Sequence, residues 1–346
     1  PASACALVLD PHSADVLAVA NYPTYDPNNA LKSPPARWRN RAVADLYEPG
    51  STLKVVTIAA ALNEGYSPNT VFACCKGRER LKGGSLPCSL HYPFMSGHGP
   101  VNMTKIIQYS CNIGAAHVAM RLGATRLREY EKAFGLLERT GAGFGCEAVG
   151  RLAPADRWPL IKLANVGFGQ GIAVTPLQMA CVYATIANGG VYVRPRIVRE
   201  IRYRDRTVKP QEVCDRRRVI SEQAAAQLTK MLVRCVEDGT GKNAQIEGRA
   251  VAGKTGSAQI PNPNGRGYLP DAFVASFIGF APAYNPRLVI AVVVNRPKGS
   301  HYGATVAAPV FREIAEKALW YYRVPSDTPG GPETRHKQEG DRNRLV

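Results

Sequence analysis

The chain has 346 residues, 45% of them hydrophobic, which is enough for one large domain or for two lobes that share a core. It carries 44 Lys and Arg residues against 27 Asp and Glu, a net charge of +17, so its surface favours anionic partners. No zinc-finger, helix-turn-helix or aromatic-rich basic pattern accompanies this charge, so we expect no nucleic-acid partner. No apolar run reaches membrane-spanning length.

The first residues predict two strands, ACALVLD and ADVLAVANYP, which PHSA joins as a hairpin. Because the chain begins directly with a strand and has no signal peptide, we expect a fragment whose upstream part was removed. A linker rich in Pro, Asn and Arg follows and leads to the stretch YEPGSTLK, residues 47–54. Pro49 and Gly50 predict a turn, and the residues after it predict a helix that ends at Gly65.

Ser51 and Lys54 stand three residues apart at the start of this predicted helix. Positions i and i+3 lie on one helix face, so the hydroxyl and the amine would be neighbours. The helix start adds unpaired backbone N–H groups and a partial positive charge. The pair therefore indicates a serine nucleophile with a lysine base. Taken alone, it fits equally well an N-cap serine beside a solvated lysine.

Nine cysteines occur, an odd number, and none forms a C-x-x-C pair. Cys75 and Cys88 flank a Gly-, Lys- and Arg-rich stretch within a region, up to Pro100, that predicts irregular structure, and a disulfide there is one alternative in an oxidising compartment. A metal site of Cys88, His91 and His98 is the other alternative, but its spacing fits no standard zinc pattern. We therefore predict no metal.

The middle of the chain predicts helices. One segment, residues 101–123, contains two helices with a break near QYSCN, and Thr175 followed by Pro176 begins another helix that Gly189 and Gly190 end. Ser221 begins a helix of the same design. The last third predicts three strands, RAVAGKTGSAQI, AFVASFIGFAPA and RLVIAVVVNRP, then a closing helix.

Strands at both chain ends with helices between them predict an α+β fold. We expect one antiparallel sheet of about five strands, built from residues 1–22 and 246–323, with an inserted helical lobe at about 50–245. The domain would span 1–323, and the polar tail 324–346 predicts disorder. A cleft between sheet and lobe is the expected location of a site.

Two further motifs follow Ser51 and Lys54 along the chain. Ser110-Cys111-Asn112 lies at the break between two helices, where a helix cap is the simpler alternative. Lys254-Thr255-Gly256 lies in a predicted strand, where a strand end with a bulge is the alternative. The spacings are 59 residues from Ser51 to Ser110 and 144 from Ser110 to Lys254. In this order the motifs resemble the serine set of the penicillin-recognising acyl transferases.

A nucleotide-binding alternative also fits these letters, because residues 248–255 read GRAVAGKT, a literal phosphate-loop pattern. Such a loop must follow a strand and open a helix. Here the residues between the glycines are themselves strand-like, and Pro261 and Pro263 prevent a helix afterwards. The context therefore argues against a phosphate loop.

The chain resembles the transpeptidase domain of class B penicillin-binding proteins, the monofunctional enzymes of division and elongation. YEPGSTLK, YSCN (109–112), GFGQG (167–171), GKTGSAQ (253–259) and ASFIGFAP (275–282) carry the resemblance, and GTGKNA (239–244) also fits it. It extends over residues 2–323 and implies a β-lactamase-like fold. It also implies a non-catalytic pedestal and a membrane anchor upstream, and we expect both to belong to the removed part of the parent protein.

The resemblance implies a role for each motif residue. Ser51 would be acylated, Lys54 would be its base, and Ser110 would relay a proton to the departing D-alanine. Asn112 would hold the stem-peptide amide, Lys254, Thr255 and Ser257 the terminal carboxylate, and Gly256 would let substrate lie against the strand. The backbone N–H groups of Ser51 and Ser257 would form the oxyanion hole. No metal or organic cofactor is implied.

The implied function is peptidoglycan D,D-transpeptidation on stem peptides that end in D-Ala-D-Ala, with inhibition by β-lactams. The implied location is the extracytoplasmic face of the membrane, beside a membrane glycosyltransferase. Two alternatives stay open: a β-lactam sensor or scaffold, and a β-lactamase. A β-lactamase commonly needs a deacylating glutamate in an E-x-x-L-N pattern, and the sequence has none. Division against elongation also stays open.

Overall fold

The computed structural model describes residues 1–88, 97–211, 215–265 and 267–327. Its strands are β1 (Ser3–Leu9), β2 (Val16–Tyr22), β3 (Ala73–Cys75), β4 (Arg78–Leu81), β5 (Gly84–Pro87), β6 (Gly99–Val101), β7 (Val191–Val193), β8 (Glu200–Arg202), β9 (Val208–Pro210), β10 (Arg216–Arg218), β11 (Ala252–Pro261), β12 (Tyr268–Ala281) and β13 (Leu288–Asn295). Its α-helices are α1 (Arg41–Ala44), α2 (Lys54–Asn63), α3 (Met103–Gln108), α4 (Asn112–Leu122), α5 (Ala124–Ala133), α6 (Leu160–Val166), α7 (Pro176–Ala187), α8 (Glu222–Asp238), α9 (Gly303–Val306) and α10 (Ala308–Tyr321).

One antiparallel sheet joins the two ends of the chain, with strand order β11–β12–β13–β1–β2. Ser3 pairs with Asn295 and Leu9 with Val289, so every residue of β1 pairs with β13. The predicted α+β class with a five-stranded antiparallel sheet is confirmed. β11 is an edge strand, and this position leaves one of its sides available to another part of the molecule.

The central strand β13 is buried on both faces, which explains its unbroken run of apolar residues. Successive side chains of a strand point to opposite faces. Val289 and Val293 belong to the main core, which also contains α2 and α7. Ile290 and Val294 belong to a second core, formed with α10 around Phe311. The sheet therefore lies between two helical layers.

The helices α7 and α8 begin at the predicted caps. Thr175 and Gln178 form a capping box at the start of α7, with Pro176 as the first helical residue. The Ser221 hydroxyl accepts a hydrogen bond from the N–H of Ala224 at the start of α8. Gly189 and Gly190, both with positive φ, follow the end of α7. Each cap hydrogen bond joins residues only three positions apart, so such caps can be predicted from sequence.

Among the described residues of the inserted lobe, four short ribbons accompany the helices: β3–β6, β4–β5, β7–β10 and β8–β9. The prediction of irregular structure before Pro100 was therefore wrong for β3 to β6. Strands of three or four residues are too short to show a period of two. Their pairing is decided by contacts across the lobe.

The packed chain continues four residues beyond the predicted boundary at 323, up to Asp327. Val324 is buried, and Arg249 donates hydrogen bonds to the carbonyl oxygens of Val324 and Pro325, at 2.6 and 2.8 Å. The Asp327 carboxylate accepts from the N–H of Ala250. The rest of the predicted tail, residues 328–346, lies outside the described residues.

Candidate active site

Ser51 lies in a turn that the sheet edge and a glycine-rich loop hold in place. Residues Gly50–Leu53 form a short 3-10 helix that leads directly into α2. Gly50 has φ +54, and its N–H donates to the carbonyl oxygen of Gly169. A Cβ at Gly50 would approach the Cβ of Ala258 on β11 to 3.0 Å. The close approach and the positive φ both require glycine before the serine.

Lys54 connects Ser51 with the second motif. Its Nζ lies 3.0 Å from Ser51 Oγ, 2.7 Å from the Ser110 carbonyl oxygen and 3.1 Å from Ser110 Oγ. The fourth neighbour is Asn112 Oδ1, at 2.7 Å. Lys54 is completely buried. Burial, and next the like charge of Lys254, lower the pKa of Lys54 well below its ordinary value of 10.5.

Ser110 occupies the break between α3 and α4 with φ +62, a conformation that residues other than glycine rarely adopt. The predicted break is confirmed, and the cap of the second helix is neither Ser110 nor Asn112. Cys111 is the N-cap of α4, and its Sγ accepts from the N–H of Gly114 at 3.3 Å. The break turns Ser110 and Asn112 toward Lys54, and both are buried.

The third motif lies on the edge strand β11, as predicted for a strand. Lys254 is completely buried, and its Nζ lies 3.3 Å from Thr240 Oγ1 and 3.3 Å from Thr255 Oγ1. Thr255 also donates to Thr240, at 2.9 Å. Burial lowers the pKa of Lys254 too. Further along, Ser257 Oγ accepts from the N–H of Gly303 at 3.0 Å.

Gly256 owes its identity to packing inside the protein. A Cβ there would lie 2.4 Å from Ser276 Oγ and 3.1 Å from the Pro49 carbonyl oxygen. It would also lie 3.1 Å from the side chain of Thr52. The absent side chain thus lets β11 lie close to the serine turn, which is a reason additional to the substrate contact that the resemblance implies.

A cavity of about 280 Å³ opens beside Ser51. Lys254 and Thr255 are buried and do not line it, whereas Ser257, two residues further along β11, does. Ser51, Ser110, Asn112 and Ser257 all line it. The buried Lys54 amine donates to Ser51 Oγ. On β11, Lys254 Nζ and Thr255 Oγ1 both donate to the hydroxyl of Thr240. The structure therefore brings residues that are more than 200 positions apart in sequence to one cavity.

Sequence reasoning gave no role to Thr240 and only a place in the turn to Glu48. The Glu48 carboxylate accepts from the N–H of Gly171 at 2.8 Å and from the Tyr268 hydroxyl at 3.0 Å. Burial raises the pKa of Glu48. Both residues stand in stretches that carried the resemblance or flanked it, YEPGSTLK and GTGKNA from Gly239. Those stretches were the available signal.

This fold and this serine–lysine site define the penicillin-recognising class of proteins. The chain belongs to the penicillin-binding protein transpeptidase domain family, whose family model matches residues 4–316. The chain is 36% identical to stage V sporulation protein D of Bacillus subtilis over 326 residues, which is 92% of this chain and 49% of that protein. It is 33% identical to peptidoglycan D,D-transpeptidase FtsI of Escherichia coli, over 99% of this chain and 54% of that protein.

Solved structures agree with this assignment. Penicillin-binding protein 3 of Mycobacterium tuberculosis, in complex with aztreonam, is 34% identical with a TM-score of 0.86, over 94% of this chain and 74% of that one. The transpeptidase domain of Burkholderia pseudomallei penicillin-binding protein 3 gives a TM-score of 0.79 at 32% identity, over 94% and 90%. The chain spans about half the length of the curated relatives it matches. In the described part of the chain, no helix is both long and apolar enough to cross a membrane.

Proposed function

We propose that this chain is a peptidoglycan D,D-transpeptidase that works through an acyl-enzyme on Ser51. One observation carries the proposal: Lys54 Nζ lies within 3.1 Å of Ser51 Oγ, Ser110 Oγ and Asn112 Oδ1. A buried amine thus touches both the nucleophile and a second hydroxyl that can carry its proton. A relative carries the name peptidoglycan D,D-transpeptidase, and penicillin-binding protein 3 is solved with aztreonam and with ampicillin.

The first step forms the acyl-enzyme. Neutral Lys54 takes the Ser51 proton while Ser51 Oγ attacks the carbonyl carbon between the two D-alanines of a stem peptide. The backbone N–H groups of Ser51 and Ser257 would stabilise the oxyanion, and each such donor typically contributes about 3 kcal/mol. The C–N bond then breaks, the nitrogen of the departing D-alanine receives the proton through Ser110, and Ser51 keeps the peptide as an ester.

The second step transfers the peptide. An amine of a neighbouring stem peptide attacks the ester, gives up a proton to the Ser110 and Lys54 pair, and leaves with a new amide bond. Ser51 regains its hydrogen by the reverse of its first proton transfer. Transpeptidation requires that an amine, and not water, attack the Ser51 ester. The cavity must therefore position the acceptor stem peptide in preference to a water molecule.

Substrate binding follows from the remaining motif residues. Lys254, Thr255 and Ser257 would hold the terminal carboxylate, since a cation and hydroxyl donors favour that group. With its oxygen directed to Lys54, Asn112 has its amide NH₂ to offer a stem-peptide carbonyl. The edge strand β11 would pair with the extended peptide as an added strand. A β-lactam would acylate the same Ser51.

The cellular setting is part of the same proposal. Stem peptides belong to the cell wall, so the reaction takes place on the extracytoplasmic face of the membrane. Family resemblance adds an N-terminal membrane anchor on the parent protein and a membrane glycosyltransferase as the partner that supplies glycan strands. The basic surface, with a net charge of +17, suits anionic lipids and wall polymers.

Mass spectrometry after penicillin treatment tests the acyl-enzyme. We expect a one-to-one adduct that maps to the peptide containing Ser51 and is absent in Ser51→Ala. Ser85→Ala is the matched control, because Ser85 lines the same cavity but belongs to none of the motifs. An adduct on another residue would overturn the assignment. Rapid release of the adduct by water would identify a β-lactamase instead.

A transfer assay separates an enzyme from a sensor. The chain is incubated with a stem-peptide mimic ending in D-Ala-D-Ala and an amine acceptor, and the cross-linked product is measured by chromatography. We expect product and free D-alanine in equal amounts, and neither with Ser51→Ala. A stable penicillin adduct without any transfer product would show a sensor.

A further inference from the structure

A cluster of four metal-ligating side chains lies behind the second motif. Cys75, Cys88, His98 and Cys111 each offer one ligand atom, and these atoms lie within 4.8 Å of one another. The three cysteines are buried free thiols and His98 is half-buried. Cys88 Sγ lies 2.7 Å from Cys75 Sγ, 2.9 Å from His98 Nδ1 and 3.8 Å from Cys111 Sγ.

Three separate segments deliver these side chains. The β3–β6 ladder pairs Cys75 with Gly99, which places His98 beside Cys75. Cys88 follows the end of β5, and its N–H donates to the carbonyl oxygen of Gly77. Cys111 is the N-cap residue of α4. Strand pairing, a backbone hydrogen bond and a helix cap thus position these residues, so the cluster does not depend on one flexible side chain.

We propose that these four residues bind one zinc ion. Three thiolates and one imidazole are a standard donor set for a closed, tetrahedral structural zinc site. Two sulfurs bound about 2.3 Å from one tetrahedral ion lie about 3.8 Å apart, the distance between Cys88 and Cys111. Cys75 and His98 lie nearer to Cys88 than that geometry requires, so binding would move both outward by about 1 Å.

The surroundings favour the bound form. Gly114 N–H donates to Cys111 Sγ at 3.3 Å, and hydrogen bonds of this kind stabilise a metal-bound thiolate. The ring of His98 stacks on Tyr109, with centroids 5.8 Å apart and planes inclined by 11°, which fixes the orientation of the imidazole. Four protein donors leave no open coordination position, so the ion would have a structural role.

The site would position the catalytic motif. Cys111 stands between Ser110 and Asn112, whose side chains both contact Lys54. The N–H of Asn112 also donates to the carbonyl oxygen of Cys88 at 2.7 Å. A bound ion would therefore hold the Ser110–Asn112 break against the lobe. The four ligands are positioning residues, and their binding of zinc stands independently of the proposed function.

Metal content of the full chain, purified under reducing conditions, is the primary test. We expect one zinc per chain and, after exchange into cobalt, the visible absorption of a tetrahedral thiolate site. Cys75→Ala should lose both signals. Cys181→Ala is the matched control, since Cys181 is a buried free thiol in α7 outside the cluster. Equal loss in both variants, or no metal in the wild type, would overturn the proposal.

Removal of the metal from the intact chain tests the same site without a ligand variant that could fold poorly. A chelator should lower the melting temperature of the wild-type chain and of Cys181→Ala, and added zinc should restore it. Peptide mapping without reduction tests the competing disulfide. A Cys75–Cys88 disulfide in protein taken from its own compartment would overturn the zinc site.

With labelled penicillin, zinc removal should slow acylation without moving the adduct from Ser51. A failed Ser51 adduct with intact zinc binding would count against the function alone.

Discussion

At the scale of single residues, Lys54 has an environment that suits a neutral amine. Ser110's carbonyl and Asn112 Oδ1 can only accept, and both lie 2.7 Å from Nζ. A neutral amine has two N–H donors for these two oxygens and one lone pair, which can accept the Ser51 proton. The four oxygen contacts favour an ammonium ion, whereas burial and Lys254 disfavour it, and the net direction is a lowered pKa.

The rate of acylation should therefore rise with pH until Lys54 is fully neutral. Because the pKa of Lys54 in the folded chain lies well below 10.5, the midpoint should fall below that value. The second-order rate constant with a labelled penicillin, measured from pH 5 upward, checks this. A rate that does not change with pH would contradict a lysine base.

Replacement of Lys54 tests the same point without a pH change. Lys54→Met keeps the volume and removes the buried amine, so acylation should slow by about 10²- to 10⁴-fold. The Ser110 carbonyl and Asn112 Oδ1 lose their shared donor, so the melting temperature should fall as well. Lys230→Met is the control, because Lys230 is exposed on α8. If Lys54→Met acylates at the wild-type rate, Lys54 is not the base.

Ser110 combines a functional hydroxyl with an unfavourable backbone conformation, φ +62. Ser110→Gly and Ser110→Ala both remove the hydroxyl, so both should slow acylation and peptide transfer to the same extent. Glycine tolerates positive φ, so Ser110→Gly should be more stable than Ser110→Ala by about 1 kcal/mol. Thermal unfolding and transfer kinetics of the two variants check this. Equal stability would show that the positive φ costs nothing.

At the scale of elements, the edge strand β11 and the serine turn are positioned by a missing side chain. Gly256 allows the strand to approach Pro49 and Thr52, and Gly50 allows the turn to approach Ala258. Each element has a glycine where the other comes closest. The geometry of the cavity therefore depends on this packing as well as on the motif side chains.

Gly256→Ala should lower both the melting temperature and the acylation rate, because a Cβ would lie 2.4 Å from Ser276 Oγ. Gly265→Ala is a control with a milder contact, 3.2 Å from Asn262 Nδ2. In a Ser276→Ala background, the loss caused by Gly256→Ala should shrink, since the nearest atom is gone. Additive losses would contradict a steric cause.

At the scale of the whole molecule, Glu131 ties stability to pH. It is completely buried in α5, and within the described residues neither of its carboxylate oxygens has a hydrogen-bond partner. Burial raises its pKa well above 4.5, while Arg128 and Lys162 oppose this shift. The folded chain therefore keeps a proton on Glu131 that the unfolded chain releases.

A raised acid pKa makes the folded state lose stability as pH rises from about 4.5 toward the folded-state pKa. Glu131→Gln removes this loss. Its melting temperature relative to wild type should therefore increase between pH 4.5 and pH 8. Glu129→Gln, exposed on the same helix, should show no such trend. If the two variants follow the same curve, Glu131 does not hold its proton in the folded chain.

The sequence by itself determined the structural features that depend on residues near one another in the chain. The serine–lysine spacing, the break at Ser110, the capping box of α7 and the strands of the sheet all follow from patterns within about ten positions. Ordered motifs were enough to predict the family and the fold, and both are confirmed.

Only the tertiary structure decided which distant side chains meet. The metal site weighed from the sequence combined Cys88, His91 and His98, because they are near one another in the chain. His91 lies outside the described residues. The structure instead joins Cys75 and Cys111 to Cys88 and His98, and it places Thr240 between Lys254 and Thr255. Such meetings depend on strand register and on the packing of one element against another. Local periodicity contains no information about either, so spacing alone could not predict them.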